Sequence, residues 1–330
     1  MASERTAIGC LGAGRMGRGI AVAFAYAGHE VTLFDLKPRP AEAFDRLAAA
    51  ALDEIRDTLA TLADLGLGDP AHVAALTSRV MIRPAAEADA LADVPVVFEG
   101  VPEIPDVKRA TLADAASRMA PGAILASTTS TISVEDLAPA VPNSARFLNA
   151  HWLNPAYLIP LVEVSPGRAT DEAVTARLMA LLESIGKVPV RCAPSPGFIV
   201  PRIQALAMNE AARLVEEGVA TPADVDRALR YGFGFRFGVL GVLEFIDWGG
   251  ADILYHASRY LEGALGDPRY RAPAIIGTHM TEGRLGMGSG SGFLPWAEMD
   301  VAAHKRRRLG ELVARLRVEG LARPPVLPAG

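Results

Sequence analysis

A short apolar run, TAIGCL, ends in GAGRMGRG; an alanine-rich helical stretch follows, and EVTLFD then reads as a second strand. No other feature restricts the fold as much. The pattern GxGxxG recurs by chance in glycine-rich chains, but here Gly12, Gly14 and Gly17 come directly after a strand and open a helix, with Arg15 and Met16 inside the turn. Gly12 allows the tight turn, Gly14 lets a phosphate approach the backbone, and Gly17 lets helix and strand pack closely. The first amides of the helix then face an anion with no intrahelical partner of their own. Asp35 closes the second strand at the separation expected for a carboxylate that accepts hydrogen bonds from a ribose and repels a 2'-phosphate. The pattern implies a dinucleotide, NAD in preference to NADP, with Lys37 and Arg39 weakening that preference slightly.

The rest of the first half continues the alternation. Ala41 to Leu65 reads as a long helix, VPVVFEG and GAILAST as strands separated by a helix near Lys108 to Met119, and RFLNAHWL and PLVEV as further strands. TDEAVTARLMALLESIGK reads as a helix with Thr170 as its cap and Gly186 as its stop, before a last strand, KVPVRCA. This predicts an α/β fold, a doubly wound and mostly parallel sheet with helices on both faces. From SPSPGF onward strands disappear. The expected organisation is a Rossmann-like nucleotide domain over residues 1–193 and an all-α domain over 194–330. Arg202, Asn209, Arg213 and Glu216 share one stripe of an otherwise apolar segment, as in a helix buried at an interface. TPADVDRAL places a threonine cap, an N1 proline and Asp224 at the start of another helix. KRRR near the end reads as a solvated helix face.

Bulk properties exclude some functions. A chain of 330 residues with net charge −5 has no basic footprint for nucleic acid. Two cysteines, Cys10 and Cys192, make no disulfide framework and no metal-ligand spacing. MASERTAIGC lacks a basic start followed by an apolar core, and no apolar run is long enough to span a bilayer, so a cytoplasmic protein is expected.

HWLNPAYLIPLVEV carries the chemistry. Its spacing alone leaves His151 open between a core histidine and a base. Glu163, isolated in a strand-like run, is costly to bury without a partner. If the two strands are neighbours, Glu163 bonds one ring nitrogen of His151, sets its tautomer and stabilises the imidazolium formed when the other nitrogen takes a proton. The Ser/Thr cluster STTST and Asn154 lie close by in sequence.

With GAGRMGRGIA, VTLFD, ASTTSTISVEDLA, RFLNAHWLNP, LVEV, SPGFIVPRI, NEAARLVEEGVATPADVDRAL and EGRLGMGSGSGF, the chain resembles the 3-hydroxyacyl-CoA dehydrogenase family over almost its whole length. The resemblance implies nicotinamide-dependent interconversion of a 3-hydroxyacyl group and its 3-oxo partner, and a helical second domain that usually dimerises. It puts the family's histidine and glutamate on His151 and Glu163, its substrate-contacting serine on Ser130 and its asparagine on Asn154. It also puts cofactor-contacting roles on Glu103 and Lys108.

Three departures stand out. Pro201 occupies the place of a family asparagine, with Asn209 as a candidate substitute. The helix after the second strand carries Asp45, Asp53, Glu54, Asp57 and Asp64 against Arg46 and Arg56, a poor surface for the phosphates of coenzyme A. RYGFGFRFGVLG crowds Phe233, Phe235 and Phe237 around Arg236, either near a bulky acyl group or in a dimer core. The leading expectation is therefore an NAD-dependent 3-hydroxyacyl(-CoA) dehydrogenase or 3-oxoacyl reductase. The alternatives are a ketoreductase or dehydrogenase acting on a carrier-bound polyketide chain or a free 3-hydroxy acid, and a non-catalytic protein that keeps the fold, as some lens proteins resembling this family do.

Overall fold

The structure is a computed structural model that describes residues 5–325. Within it the chain divides into two compact units, Met1–Met208 and Asn209–Gly330. The division falls inside a helix, well after Ala193.

The first unit is built on an eight-stranded sheet with strand order β3-β2-β1-β4-β5-β6-β7-β8. The strands are β1 Ile8–Leu11, β2 Val31–Asp35, β3 Val80–Pro84, β4 Val96–Glu99, β5 Ile124–Ser127, β6 Phe147–Trp152, β7 Leu161–Pro166 and β8 Val188–Arg191. The principal helices of this unit are α1 Arg15–Tyr26, α2 Ala41–Asp64, α3 Pro105–Arg118 and α4 Glu172–Ser184, and α5 Val200–Glu216 begins near its end. β1, β4 and β5 are buried along their whole length, as strands covered on both faces must be. One core lies under α1 and α2, around Ile20, Phe24, Ile55 and Trp152; the other lies under α3, around Leu11, Phe34, Leu112 and Leu125. Order reverses beside β1, between β2 and β4, which opens a crevice at the carboxyl ends of the strands.

Three details differ from the sequence expectation. β3 has no clear signature in the chain: only Val80 is buried in it, Met81 is exposed, and it ends in a proline. β6 and β7 pair antiparallel, whereas every other neighbouring pair is parallel. The connection between them, residues 153–160, is too short for a helical crossover, so the chain must turn back on itself. Asp171, rather than Thr170, caps α4 by accepting from the Ala173 amide. The Thr170 hydroxyl instead donates to Phe147 O at 2.6 Å and accepts from the Gly167 amide, tying the loop before α4 to β6.

The second unit is helical, with α6 Pro222–Ala228, α7 Val242–Gly249, α8 Ala251–Leu265, α9 Ala274–Thr281 and α10 Val301–Val318. Thr221 caps α6 through the Asp224 amide and donates to its carboxylate. The buried Asp247 carboxylate gathers the amides of Phe293 and Leu294 and the Trp296 indole N–H, which closes the glycine-rich segment onto α7. In α10, His304 and Arg308 both bond Glu244, so part of the KRRR face turns inward. The phenylalanine-rich segment is helical, with a π-helical turn at Leu229–Gly234. Phe233 and Phe245 both pack edge-on to Phe237, while Arg236 lies over the Phe245 ring at 4.4 Å. No residue of α5 is buried within the single chain. Among the described residues no helix is long and apolar enough to cross a membrane.

Candidate active site

β1 runs directly into the glycine turn. Gly12 has φ +106°, a conformation that favours glycine, and its amide donates to Phe34 O at 2.8 Å. A Cβ on Gly17 would collide with the Gly12 carbonyl oxygen, whereas one on Gly14 would meet nothing within 4 Å. Gly17 is therefore required for packing, and Gly14 leaves the space in front of the turn open. Gly14 also stands at the N-cap of α1 without a side-chain cap, so the first amides of the helix have no side-chain acceptor. These features fit a pyrophosphate. Asp35 ends β2, is nearly buried, and accepts from Arg39 Nε at 2.6 Å.

The same crevice widens into a cleft of about 410 Å³ lined by Arg15, Met16, Glu103, Lys108, Ser130, His151, Asn154, Pro201 and Gln204, among others. Seven residues given site roles from the sequence thus meet at one place, Arg15, Met16, Glu103, Lys108, Ser130, His151 and Asn154, with Pro201 beside them.

Behind the cleft lies His151, paired in register with Glu163 across β6 and β7. Its Nδ1 is 2.8 Å from Glu163 Oε2, and Nε2 has no protein partner among the described residues. The Phe198 ring stacks on the imidazole at 5.5 Å between centroids. Glu163 is fully buried, and its other oxygen, Oε1, accepts from the amides of Ile199 and Val200 at 2.9 and 2.8 Å. Those amides open α5, so the carboxylate sits against the positive end of a helix. To bring them there the chain passes through Gly197 at φ +72° and Phe198 at φ +45°, a left-handed pair that is unusual for phenylalanine. Pro201 follows at the second position of α5, where its missing N–H removes no intrahelical bond.

The same cleft is also lined by a buried ammonium and a carboxylate held together. Lys108 is buried, its Nζ 3.0 Å from Glu99 Oε1 and 3.2 Å from Glu103 Oε2. Glu99 is fully buried and also accepts from Ser127 Oγ at 2.6 Å and the Val101 amide at 2.8 Å. Glu103 in turn collects the Thr129 hydroxyl and the amides of Ser130 and Thr131, with Ser130 Oγ at 3.4 Å. Burial alone would raise its carboxyl, but Thr129, the Lys108 ammonium and the Ser130 amide outweigh burial and hold it below the usual range. Glu103 therefore ties down the segment that carries Ser130, and Lys108 is held between the two glutamates.

Sequence reasoning missed Glu99 and Gln204. Glu99 ends a fully buried strand, where a carboxylate is a signal in itself. Gln204 lies three residues after Pro201 on α5, one helical turn along the same face. Asn209 is exposed and belongs to the second unit.

Comparison with known proteins agrees with this architecture. Residues 7–195 match the model of the 3-hydroxyacyl-CoA dehydrogenase NAD binding domain, and residues 197–296 match the C-terminal domain of the same family. The chain is 36% identical over 290 residues to 3-hydroxyadipyl-CoA dehydrogenase of Escherichia coli, spanning 88% of this chain and 58% of that longer protein. It is 34% identical over 272 residues to L-carnitine dehydrogenase of Streptomyces coelicolor, spanning 81% and 82% of the two chains. A crystal structure of a 3-hydroxyacyl-CoA dehydrogenase from Archaeoglobus fulgidus superposes with a TM-score of 0.74 at 30% identity, covering 96% of this chain and 100% of that one. The chain belongs to the 3-hydroxyacyl-CoA dehydrogenase family and is an NAD-dependent oxidoreductase.

Proposed function

We propose that the protein interconverts a 3-hydroxyacyl group and its 3-oxo partner, with His151 as the general acid and base. The observation that carries this reading is the His151–Glu163 pair at the back of the cleft. With Nδ1 engaged by Glu163, Nε2 is the nitrogen that meets substrate, and it takes the hydroxyl proton in oxidation and returns it in reduction. Glu163 keeps the ring in that tautomer and offsets the charge of the imidazolium, while the α5 amides keep the carboxylate in place. Ser130 and Asn154, both on the cleft wall, hold the C3 oxygen toward His151. Glu103 and Lys108 fix the Ser130 segment. The glycine turn and Asp35 would hold NAD, whose nicotinamide ring would supply the acceptor or donor of the hydride.

A second reading concerns the carrier. A pocket of about 320 Å³ borders the cleft, sharing Arg15 and Asn154 with it, and reaches α2 at Glu54 and Thr58. Its other guanidinium, Arg18, is already paired with Glu54 at 3.0 Å, and Asp53, Glu54 and Asp57 line the next hollow along α2. Carboxylates disfavour a phosphate-rich coenzyme A tail, which leaves a free 3-hydroxy acid or a carrier-bound chain as the alternative. The relative named L-carnitine dehydrogenase supports the free-acid reading. Turnover of acetoacetyl-CoA, free acetoacetate and an N-acetylcysteamine 3-oxoacyl thioester, each with NADH and NADPH, tests both readings. NADH-dependent reduction of any of them is expected, and the preferred compound identifies the carrier. Failure on all three sinks the 3-oxoacyl reading. A homodimer assembled through the helical unit accompanies this proposal, and sedimentation measures it.

A further inference from the structure

The mechanism leaves the buried charge of Lys187 unused. Lys187 lies between α4 and β8 and is only 8% exposed. Its Nζ donates to Ala156 O at 2.6 Å and Ile159 O at 2.9 Å, and it lies 5.5 Å from the centroid of the Trp152 ring. Burial lowers its pKa. An ammonium taken out of water is expensive unless it satisfies groups that would otherwise be left without partners. Here those groups are two main-chain carbonyls of the 153–160 connection, which lie thirty-one and twenty-eight residues away from it in sequence.

That connection supplies Asn154 to the cleft and leads back to Glu163 on β7. Among the described residues its other backbone bonds are few: the amides of Leu158 and Ile159 both donate to Pro155 O at 3.0 Å, and the Val188 amide, next to Lys187, donates to Pro160 O at 2.9 Å. On the other side, a Cβ on Gly19 would come within 3.2 Å of Ala156 Cβ, so α1 lies directly against the same turn. The turn is pressed by a helix from one side and pulled by an ammonium from the other.

We propose that Lys187 is a positioning residue, clamping the 153–160 connection so that Asn154 is presented to the substrate. The inference rests on the role given to Asn154 above, but the clamp itself is independent of it. Lys187 does not line the cleft, and its effect passes through the backbone.

The test compares the full-length wild type with K187M, which fills similar volume without donors. Hydrogen exchange of the Leu158 and Ile159 amides is expected to accelerate at least tenfold, with β6 and β7 unchanged. NADH affinity stays within threefold, and KM for the substrate rises about tenfold while kcat falls less. Unchanged exchange in folded K187M overturns the clamp. Faster exchange with an unchanged KM overturns the link to the substrate, and absence of activity in the wild type counts against the proposed function while the exchange result still stands. If K187M does not fold, K187Q, whose shorter amide reaches one carbonyl at most, is read in the same way, and wild-type exchange there overturns the proposal.

Discussion

His151 and Glu163 face each other in register across the antiparallel β6–β7 pair, and the 2.8 Å bond between them occupies Nδ1 of the ring. The opposite oxygen of the same carboxylate is held by two amides at the start of α5. His151→Ala removes the proposed acid-base group and leaves this scaffold in place. It is expected to fold and bind NADH as the wild type does, and to lose about 100-fold or more in turnover, the usual contribution of a positioned acid-base group. Wild-type turnover would refute the assigned role.

Glu163→Gln is nearly isosteric, yet each native oxygen accepts a hydrogen bond. A glutamine has one oxygen and one NH2, so either the imidazole N–H or the α5 amides must face a donor. The variant is expected to lose tenfold or more in kcat and roughly 1–3 kcal/mol of stability, the cost of leaving a buried group unsatisfied. Chemical denaturation alongside steady-state kinetics measures both. If both match the wild type, Nδ1 does not carry the proton.

The glycine turn separates packing from ligand contact. Gly17→Ala places a methyl group against the Gly12 carbonyl and should lower Tm as well as NADH affinity. Gly14→Ala meets no protein atom within 4 Å, so its Tm should stay near the wild-type value while NADH affinity falls. Calorimetric titration and thermal melts of the two variants distinguish the effects. Equal losses of Tm would show that the open space at Gly14 has been misread.

Coenzyme preference tests the other end of the dinucleotide. Asp35→Ala removes the carboxylate and releases Arg39, its partner at 2.6 Å. The kcat/KM ratio of NADPH to NADH should then rise by tenfold or more, because a repulsive charge is lost and a guanidinium is freed near the ribose. An unchanged ratio would remove Asp35 from the coenzyme site.

Glu103 gives a pH signature. Its carboxyl is held below the usual range in the folded protein, so its contribution to stability is fully present above about pH 4.3, the ordinary glutamate value, and is lost as pH falls through the depressed folded value. The stability difference between wild type and Glu103→Gln should therefore be constant near neutrality and shrink below that pH. Denaturation curves between pH 7 and pH 3 measure it. A difference that grows on acidification would reverse the sign of the argument.

Much of the fold was legible because its signals are local. A glycine that must sit at φ +106° after an apolar run, and Asp35 at the end of the next strand, depend on neighbours within a few residues. β3 was not legible, since an edge strand that buries one residue has little hydrophobic pattern to display. Thr170 and Asp171 are both good caps, and only the distance to Phe147 O decided between them.

The site divides in the same way. From its residues the chain determined that His151 and Glu163 would pair if their strands were neighbours, and that a glycine turn would meet a phosphate. Only the tertiary structure decided that those strands run antiparallel, that the first amides of α5 hold Glu163, and that Lys108 is buried between Glu99 and Glu103. The reason is physical: a buried charge must find partners, and those partners come from whichever distant backbone or side chain the packing brings within about 3 Å.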